Sequence, residues 1–286
     1  MVCVSGGVDS SVTAGLCVRA FGPGNVFALA LPEKDSSPES LTYAKLLTEH
    51  LGLELHVEPI EAALAAQGCY ERRDEAIKRA VPDYGEGWKA KLILDHGLLD
   101  SGRLNVYYIH VESPDGKVIK ERLGPPEFLQ IVAATNIKQR TRMIRGYYHA
   151  EALNYAFVGS HNFDEHFLGF SVRYGDIGVD CLPQAKLYKS QVYQVAEHLG
   201  LPEVIRAQTP SSDTYSAKQS EEEFFFALPF DLLDKLLYAY NHDVPAAEAA
   251  AVVGLEEEQV QRAYRDFEAK IRTTEHMRQP PFFFDE

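Results

Sequence analysis

Short apolar runs alternate with stretches of helical spacing along the first part of the chain. Residues 1–4 and 26–31 are continuous apolar runs, as expected for strands that are buried on both faces of a parallel sheet. Residues 10–19 and 37–51 have helical spacing, and residues 53–58 predict a third strand. Because strands alternate with helices, the pattern predicts an α/β fold, a doubly wound, Rossmann-like parallel sheet with helices on both faces.

This alternation breaks at residues 68–125, which we interpret as an inserted subdomain. Helices are predicted near residues 70–80 and 88–99. Residues 104–112 and 117–123 are predicted to pair as a hairpin, because the Ser-Pro-Asp-Gly sequence between them is a turn signal.

The α/β pattern resumes after the insert. Residues 126–154 predict one long helix or a broken pair, and residues 155–159 predict the next strand. We therefore divide the chain into an α/β core of residues 1–67 and 126–218, the insert, and a C-terminal helical segment of residues 219–286.

Composition excludes several classes of function. The formal net charge of −14 argues against a general nucleic-acid binder, which needs a basic face. No apolar run is long enough to span a membrane, and no signal peptide is recognisable. The four scattered cysteines lack the spacing of a zinc site or a disulfide framework, so we expect a cytoplasmic protein. Because so few residues precede the first polar loop, either further sequence lies upstream or a short first strand suffices.

The sequence Ser-Gly-Gly-Val-Asp-Ser at residues 5–10, here called the glycine loop, lies between the first strand and the first helix. Backbone N–H groups at a helix start bind anions, and glycines let the main chain approach a phosphate closely. Ser5 and Ser10 add hydroxyl donors, whereas Asp9 beside a phosphate implies a bridging Mg²⁺. The alternative is ordinary turn and N-cap chemistry.

Two further strings carry candidate chemistry. In the string N-I-K-Q-R-T-R-M at residues 136–143, Lys138 and Arg142 share a helix face, which is either a solvated basic face or an anion-binding face. In the string at residues 158–166, Ser160 can donate to a phosphate and Glu165 can bind Mg²⁺. Acidic residues near a helix start are also ordinary complements of the helix dipole.

The glycine loop matches the SGGxDS loop of the N-type ATP pyrophosphatases, and the order of the motifs after it narrows the resemblance. That order resembles the ammonia-dependent NAD synthetase family. The matching strings are residues 5–10, 136–143, 159–165, 169–180, 187–189, 210–213 and 274–278.

The resemblance implies an enzyme that uses ATP and Mg²⁺ to adenylate a carboxylate, releases pyrophosphate, and transfers ammonia to the acyl group with release of AMP. The acceptor implied is deamido-NAD, and a homodimer is expected. ATP would contact Ser5, Gly6, Gly7, Asp9, Ser10, Leu31, Ser160, Lys189 and Ser211. Mg²⁺ would be held by Asp9 and Glu165. The acceptor dinucleotide would contact Arg140, Arg173, Asp180 and His276. Asp9, Lys189 and Asp180 would be the catalytic residues, with Asp180 a candidate acceptor for the proton of ammonium.

The sequence departs from the family pattern in three places. Ser160 replaces a threonine, Met277 replaces a lysine near the dinucleotide, and the insert at residues 68–125 separates the third strand from the arginine-containing helix. We expect the insert to pack at the acceptor site or at a subunit interface. Two alternatives stay open, namely the same chemistry on a different carboxylate and a non-catalytic nucleotide-binding homologue.

Overall fold

The computed structural model describes residues 1–94, 98–99, 106–212 and 214–284. The strands are β1 (Val2–Cys3), β2 (Ala28–Ala30), β3 (Leu55–Val57), β4 (Lys89–Leu94), β5 (Tyr107–Glu112) and β6 (Val118–Arg122). The helices before and within the insert are α1 (Val8–Phe21), α2 (Pro38–Leu51), α3 (Glu61–Ala66) and α4 (Cys69–Ala80). The later helices are α5 (Pro125–Leu153), α6 (Phe163–Leu168), α7 (Lys189–His198), α8 (Glu203–Arg206), α9 (Phe230–Asn241), α10 (Ala246–Val253) and α11 (Glu257–Arg278).

A parallel sheet forms the centre of the α/β core. β2 pairs with β1 on one side and with β3 on the other, and both pairings are parallel. The sheet continues beyond β1 through parallel bridges from Val2 to Val158 and from Val158 to Cys181. The chain thus extends the sheet in both directions from β1, which confirms the doubly wound α/β fold.

The helices of the core begin and end at the capping residues that the sequence contains. The hydroxyl oxygen of Ser37 accepts a hydrogen bond from the backbone N–H of Glu39 and caps α2, which has proline at its first position. α5 is a single uninterrupted helix rather than a broken pair. Its last turn ends at Asn154, which adopts the left-handed conformation.

The insert contains an antiparallel sheet in the order β4–β5–β6, with the predicted turn at residues 113–116 between β5 and β6. The predicted helix at 88–99 is wrong, because residues 89–94 form β4. Charged and apolar residues alternate there from Lys89 to Leu92, and the buried Ala90 and Leu92 face the core. Leu104, the predicted start of the hairpin, lies outside the described residues.

The described part of the C-terminal segment is largely helical, with α9, α10 and α11 packed around Leu237, Val260 and Phe267. None of the described helices combines the length and apolarity needed to cross a membrane. The division of the chain at residues 67, 125 and 218 stays a prediction.

Candidate active site

A cavity of about 530 Å³ lies where the segments after β1 and β2 meet the starts of helices. This is the point at which the sheet extends in opposite directions from β1, the usual ligand site of a doubly wound fold. The predicted residues that line the cavity are Ser5, Gly7, Asp9, Ser10, Leu31, Ser160, Glu165 and Ser211.

The glycine loop has a conformation that requires glycine at its second position. Gly6 has a φ of +84°, and a Cβ atom there would lie 2.6 Å from the carbonyl oxygen of Ser40. The hydroxyl oxygens of Ser5 and Ser10 lie 3.0 Å apart, and Ser10 donates to the carbonyl of Gly7. The loop therefore brings two hydroxyls and the start of α1 to the cavity.

Asp9 is the point at which distant parts of the chain meet. The Lys189 ammonium donates to one carboxylate oxygen of Asp9 at 2.6 Å, and the Asn162 amide donates to the other at 3.0 Å. Lys189 is fully buried, and its ammonium also lies 3.5 Å from the carboxylate of Glu221. Lys189 itself is not among the residues that line the cavity.

The local sequence fixes Glu165 in this cluster. Asn162 and Glu165 form a capping box at the start of α6, with each side chain accepting a hydrogen bond from the backbone N–H of the other. Burial raises the pKa of Glu165 well above its usual range, and the negative charge of Asp9 raises it further.

The cluster contains more negative than positive charge. Asp9, Glu165 and Glu221 are three carboxylates around the single ammonium of Lys189. Burial alone would lower the pKa of Lys189, but the nearby carboxylates outweigh it and raise that pKa well above the usual value. Burial, followed by the charge of Asp9, likewise raises the pKa of Glu221 despite the opposing effect of Lys189. With all carboxylates ionised, the cluster has a charge surplus that a divalent cation would neutralise.

A pair of buried carboxyl groups holds the start of α7, the helix that begins at Lys189. Asp164 accepts a hydrogen bond from the backbone N–H of Lys189 at 2.8 Å, and Asp234 accepts one from Ser190 at 2.7 Å. Burial and the proximity of Asp234 raise the pKa of Asp164 to about 8. These bonds fix where the Lys189 side chain enters the cluster.

Lys138 does not match either interpretation of the basic string. Its ammonium is fully buried and donates to Glu33 at 2.9 Å and to Asp35 at 2.6 Å. Arg73 also binds Asp35. These two cations balance two carboxylates, so Lys138 offers no spare charge to a ligand. Arg142 of the same string does line the cavity.

The predicted acceptor-binding residues are not among the residues that line the cavity. Arg140 donates to the carbonyl oxygen of Arg173 at 3.2 Å, and Arg173 donates to that of Gln279 at 3.4 Å, so the structure brings these two arginines together near the end of α11. His276 is exposed on α11. Asp180 is exposed, and its carboxylate accepts hydrogen bonds from the Tyr147 hydroxyl and the Phe157 backbone.

Sequence reasoning missed Glu221 and Asn162. Asn162 had a signal, because it stands three residues before Glu165 in the spacing of a capping box. Glu221 lacked any sequence signal for a site residue, because it is one of three consecutive glutamates in a segment assigned to the C-terminal helices. Asp213 of the string at 210–213 lies outside the described residues.

Among the described residues, no group of three or more acidic, histidine or cysteine side chains is arranged to hold a metal ion by itself.

A doubly wound sheet with a glycine loop and a buried lysine–carboxylate cluster at its switch point defines a nucleotide-binding α/β enzyme. The sequence profile of the NAD synthase family matches residues 1–81 and 103–281. The chain belongs to the NAD synthase family. The unmatched residues 82–102 fall inside the predicted insert.

Two curated relatives match almost the whole chain. The chain is 48% identical to the NH(3)-dependent NAD(+) synthetase of Mesorhizobium japonicum over 98% of this chain and 88% of the relative. It is 47% identical to the protein of the same name from Rhizobium meliloti over 97% of this chain and 83% of the relative.

Solved structures share the fold. An NMN synthetase from Francisella tularensis superposes with a TM-score of 0.64 at 20% identity, covering 100% of this chain and 88% of that one. An NH3-dependent NAD synthetase from Campylobacter jejuni superposes with a TM-score of 0.61 at 21% identity, covering 99% and 88%.

Proposed function

We propose that this enzyme converts deamido-NAD to NAD by ATP-dependent amidation with ammonia. The observation that carries the proposal is the cluster of Asp9, Lys189, Glu165 and Glu221 beside the glycine loop. The named relatives that share nearly half of their residues with this chain support the choice of substrate.

The reaction needs activation because a carboxylate is a poor electrophile. Attack of a carboxylate oxygen of deamido-NAD on the α-phosphorus of ATP forms an acyl-adenylate and releases pyrophosphate. Ammonia then attacks the acyl carbon, AMP leaves, and the nitrogen loses a proton as the amide forms. Negative charge on the phosphates is what the protein has to stabilise.

The glycine loop is suited to hold the ATP phosphates. The hydroxyls of Ser5 and Ser10 and the start of α1 point to the cavity, and Ser160 and Ser211 line its other sides. We assign Gly6 and Gly7 to close approach of the main chain, and Leu31 to an apolar contact with ATP. Lys189 supplies the positive charge nearest to the loop.

Mg²⁺ fits the charge surplus of the same cluster. Asp9 and Glu165 line the cavity and would hold the ion together with ATP phosphates. When bound, the ion would neutralise charge that develops on the phosphates. Asn162 would keep Asp9 oriented toward the cavity through its hydrogen bond.

The acceptor half of the site is assigned from the resemblance. Arg140, Arg173 and His276 are proposed to contact the dinucleotide, and the contact between Arg140 and Arg173 supports a shared role. Asp180 is proposed with them as the acceptor of the ammonium proton. Each oxygen of Asp180 accepts one hydrogen bond, from Tyr147 or from Phe157, and keeps a second lone pair that can accept this proton.

We also propose a cytoplasmic homodimer that contacts its partner through α5. Leu129, Ile144 and Tyr148 on this helix are 62%, 57% and 61% exposed, and Ile144 and Tyr148 are neighbours at i and i+4 on one face. Sedimentation should show a dimer, and Ile144→Glu combined with Tyr148→Glu should convert it to a monomer. A wild-type monomer at all concentrations would contradict the dimer.

An acceptor panel tests the proposed substrate. The protein is incubated with ATP, Mg²⁺, ammonia and one acceptor, either deamido-NAD or deamido-NMN, and pyrophosphate is measured. We expect release with deamido-NAD to exceed release with deamido-NMN at least tenfold. Release with another acid but none with deamido-NAD would indicate a different amidating enzyme, and ATP binding without any release would indicate a non-catalytic homologue.

A further inference from the structure

Residues 209–226, here called the cover segment, form one wall of the cavity; its Asp213 lies outside the described residues. The segment carries Glu221, which faces Lys189. Its regular structure in the described part is slight, a bridge between Ser211 and Ser220 and a π-helical turn at Glu222–Phe226. Contacts with other elements must therefore set its position.

β4 of the insert provides a row of such contacts. The backbone N–H of Ala217 donates to the carbonyl of Ala90 at 3.1 Å, and the N–H of Ala90 donates to the hydroxyl of Ser216 at 2.9 Å. The buried amide of Gln219 donates to the carbonyl of Leu92. β4 is the edge strand of the insert sheet and pairs with β5, so it lies between β5 and the cover segment.

An ion pair between Lys91 and Glu223 adds to these contacts between β4 and the cover segment, close to Glu221. The Lys91 ammonium lies 2.8 Å from each carboxylate oxygen of Glu223, two residues beyond Glu221. The Lys91 side chain is only 16% exposed, so water screens the pair less than it would at an open surface. β4 falls entirely within residues 82–102, which the family profile leaves unmatched.

We propose that β4 is a brace that positions the cover segment, and through it holds Glu221 against Lys189. Lys91 of β4 and Gln219 of the cover segment are positioning residues in this arrangement, because each bonds across the boundary between β4 and the segment and neither lines the cavity. The insert thus acts on the ATP side of the site. The kinetic part of this inference rests on the proposed function, whereas the positioning itself does not.

Charge reversal at the brace tests the positioning without any substrate. Lys91→Glu places like charges opposite each other at Glu223, and Lys78→Glu makes the same change at an exposed position on α4 of the insert. Hydrogen–deuterium exchange of residues 214–226 should become at least tenfold faster in Lys91→Glu and stay unchanged in Lys78→Glu. Combining Lys91→Glu with Glu223→Lys should restore slow exchange.

A second variant, Gln219→Leu, and the fluorescence of Trp88 distinguish a local loss of contacts from unfolding of the insert. Gln219→Leu removes the buried amide from the segment side and should also speed exchange. Trp88, the only tryptophan of the chain, immediately precedes β4 and packs against Tyr84. Its fluorescence should stay at the wild-type wavelength in both variants, since β4 keeps its pairing with β5.

The kinetic readout separates the two proposals. Lys91→Glu should lower kcat/KM for ATP at least tenfold in pyrophosphate release, and the Lys91→Glu, Glu223→Lys double variant should recover most of it. Unchanged exchange in both Lys91→Glu and Gln219→Leu, or failure of the double variant to restore it, would overturn the brace. A wild type that releases no pyrophosphate but shows the expected exchange pattern would contradict the proposed function and support the brace.

Discussion

The ammonium of Lys189 lies 2.6 Å from the carboxylate of Asp9, although 180 positions separate the two residues. Asp9 lies in the glycine loop, directly after β1. The carboxyl groups of Asp164 and Asp234 accept hydrogen bonds from the start of α7, the helix that carries Lys189. The contact connects the end of the sheet that carries the glycine loop to a helix from the later part of the chain. Removing either partner should therefore affect both charge and geometry at the site.

Replacing Asp9 by asparagine should abolish most of the activity. Asn keeps the size of the side chain but removes the charge that faces Lys189 and that is assigned to Mg²⁺. We expect kcat for pyrophosphate release to fall about a hundredfold or more, on the order of 3 kcal/mol. Asp231→Asn, at an exposed site in the first turn of α9, is the matched control. Turnover of Asp9→Asn at the wild-type rate would remove Asp9 from the mechanism.

Replacing Lys189 by methionine should destabilise the fold as well as stop the reaction. The half-buried carboxylate of Asp9 and the buried carboxylate of Glu221 would lose their only cation in the cluster, and breaking a buried pair typically costs about 3–5 kcal/mol. The loss of stability should be larger at pH 8 than at pH 5. Burial raises the pKa values of Glu165 and Glu221, and these carboxyl groups need no cation once they are protonated. Urea unfolding at both pH values, with the exposed Lys186→Met as control, measures it. Equal stability to wild type at pH 8 would contradict the charge balance described for the cluster.

The glycine loop should tolerate no side chain at Gly6. Gly6→Ala forces a residue with a Cβ into a φ of +84° and against the Ser40 carbonyl, so we expect a loss of more than about 1–2 kcal/mol. Gly24→Ala is the control, because no atom lies within 4 Å of its Cβ position and its φ is not in the left-handed region. We expect its stability to change by less than about 1 kcal/mol. Equal unfolding midpoints for the two variants would show that the loop relaxes freely.

The buried pair of Asp164 and Asp234 should make stability fall as pH rises. Burial and Asp234 raise the pKa of Asp164 in the folded protein to about 8 from an ordinary value near 3.8. The folded state binds this proton more tightly than the unfolded state does, so the stability it contributes is full below about pH 4 and is lost as pH rises to about 8. Asp164→Asn should flatten this part of the pH profile of unfolding, because asparagine can still accept from Lys189 and donate to Asp234. An unaltered profile would show that Asp164 does not titrate in this window.

The α/β core and half of the site were predictable because their signals are local. Apolar runs predicted β1 and β2, and the order of glycine loop, strand and acidic helix start placed Asp9 and Glu165 at one end of the sheet. The helix predicted at 88–99 was wrong because pairing with β5 decides the conformation of such a short stretch.

The ion pairs between residues far apart in the chain could not be predicted from local sequence patterns. Lys138 shares a predicted helix face with Arg142, yet it is buried against Glu33 and Asp35, more than a hundred positions earlier. Glu221 reaches Lys189 only because the cover segment folds over the cavity. Tertiary packing selects these partners, and a single sequence does not encode them as a pattern.

The adenylation half-reaction tests the central claim most directly. The protein is mixed with ATP, Mg²⁺ and deamido-NAD in the absence of ammonia, pyrophosphate is counted per subunit, and ammonia is then added. We expect about one pyrophosphate per subunit before ammonia, followed by equal amounts of AMP and NAD after it. Absence of pyrophosphate in both stages, or AMP formed without NAD, would contradict the assignment of this cluster to an amide-forming, ATP-cleaving site.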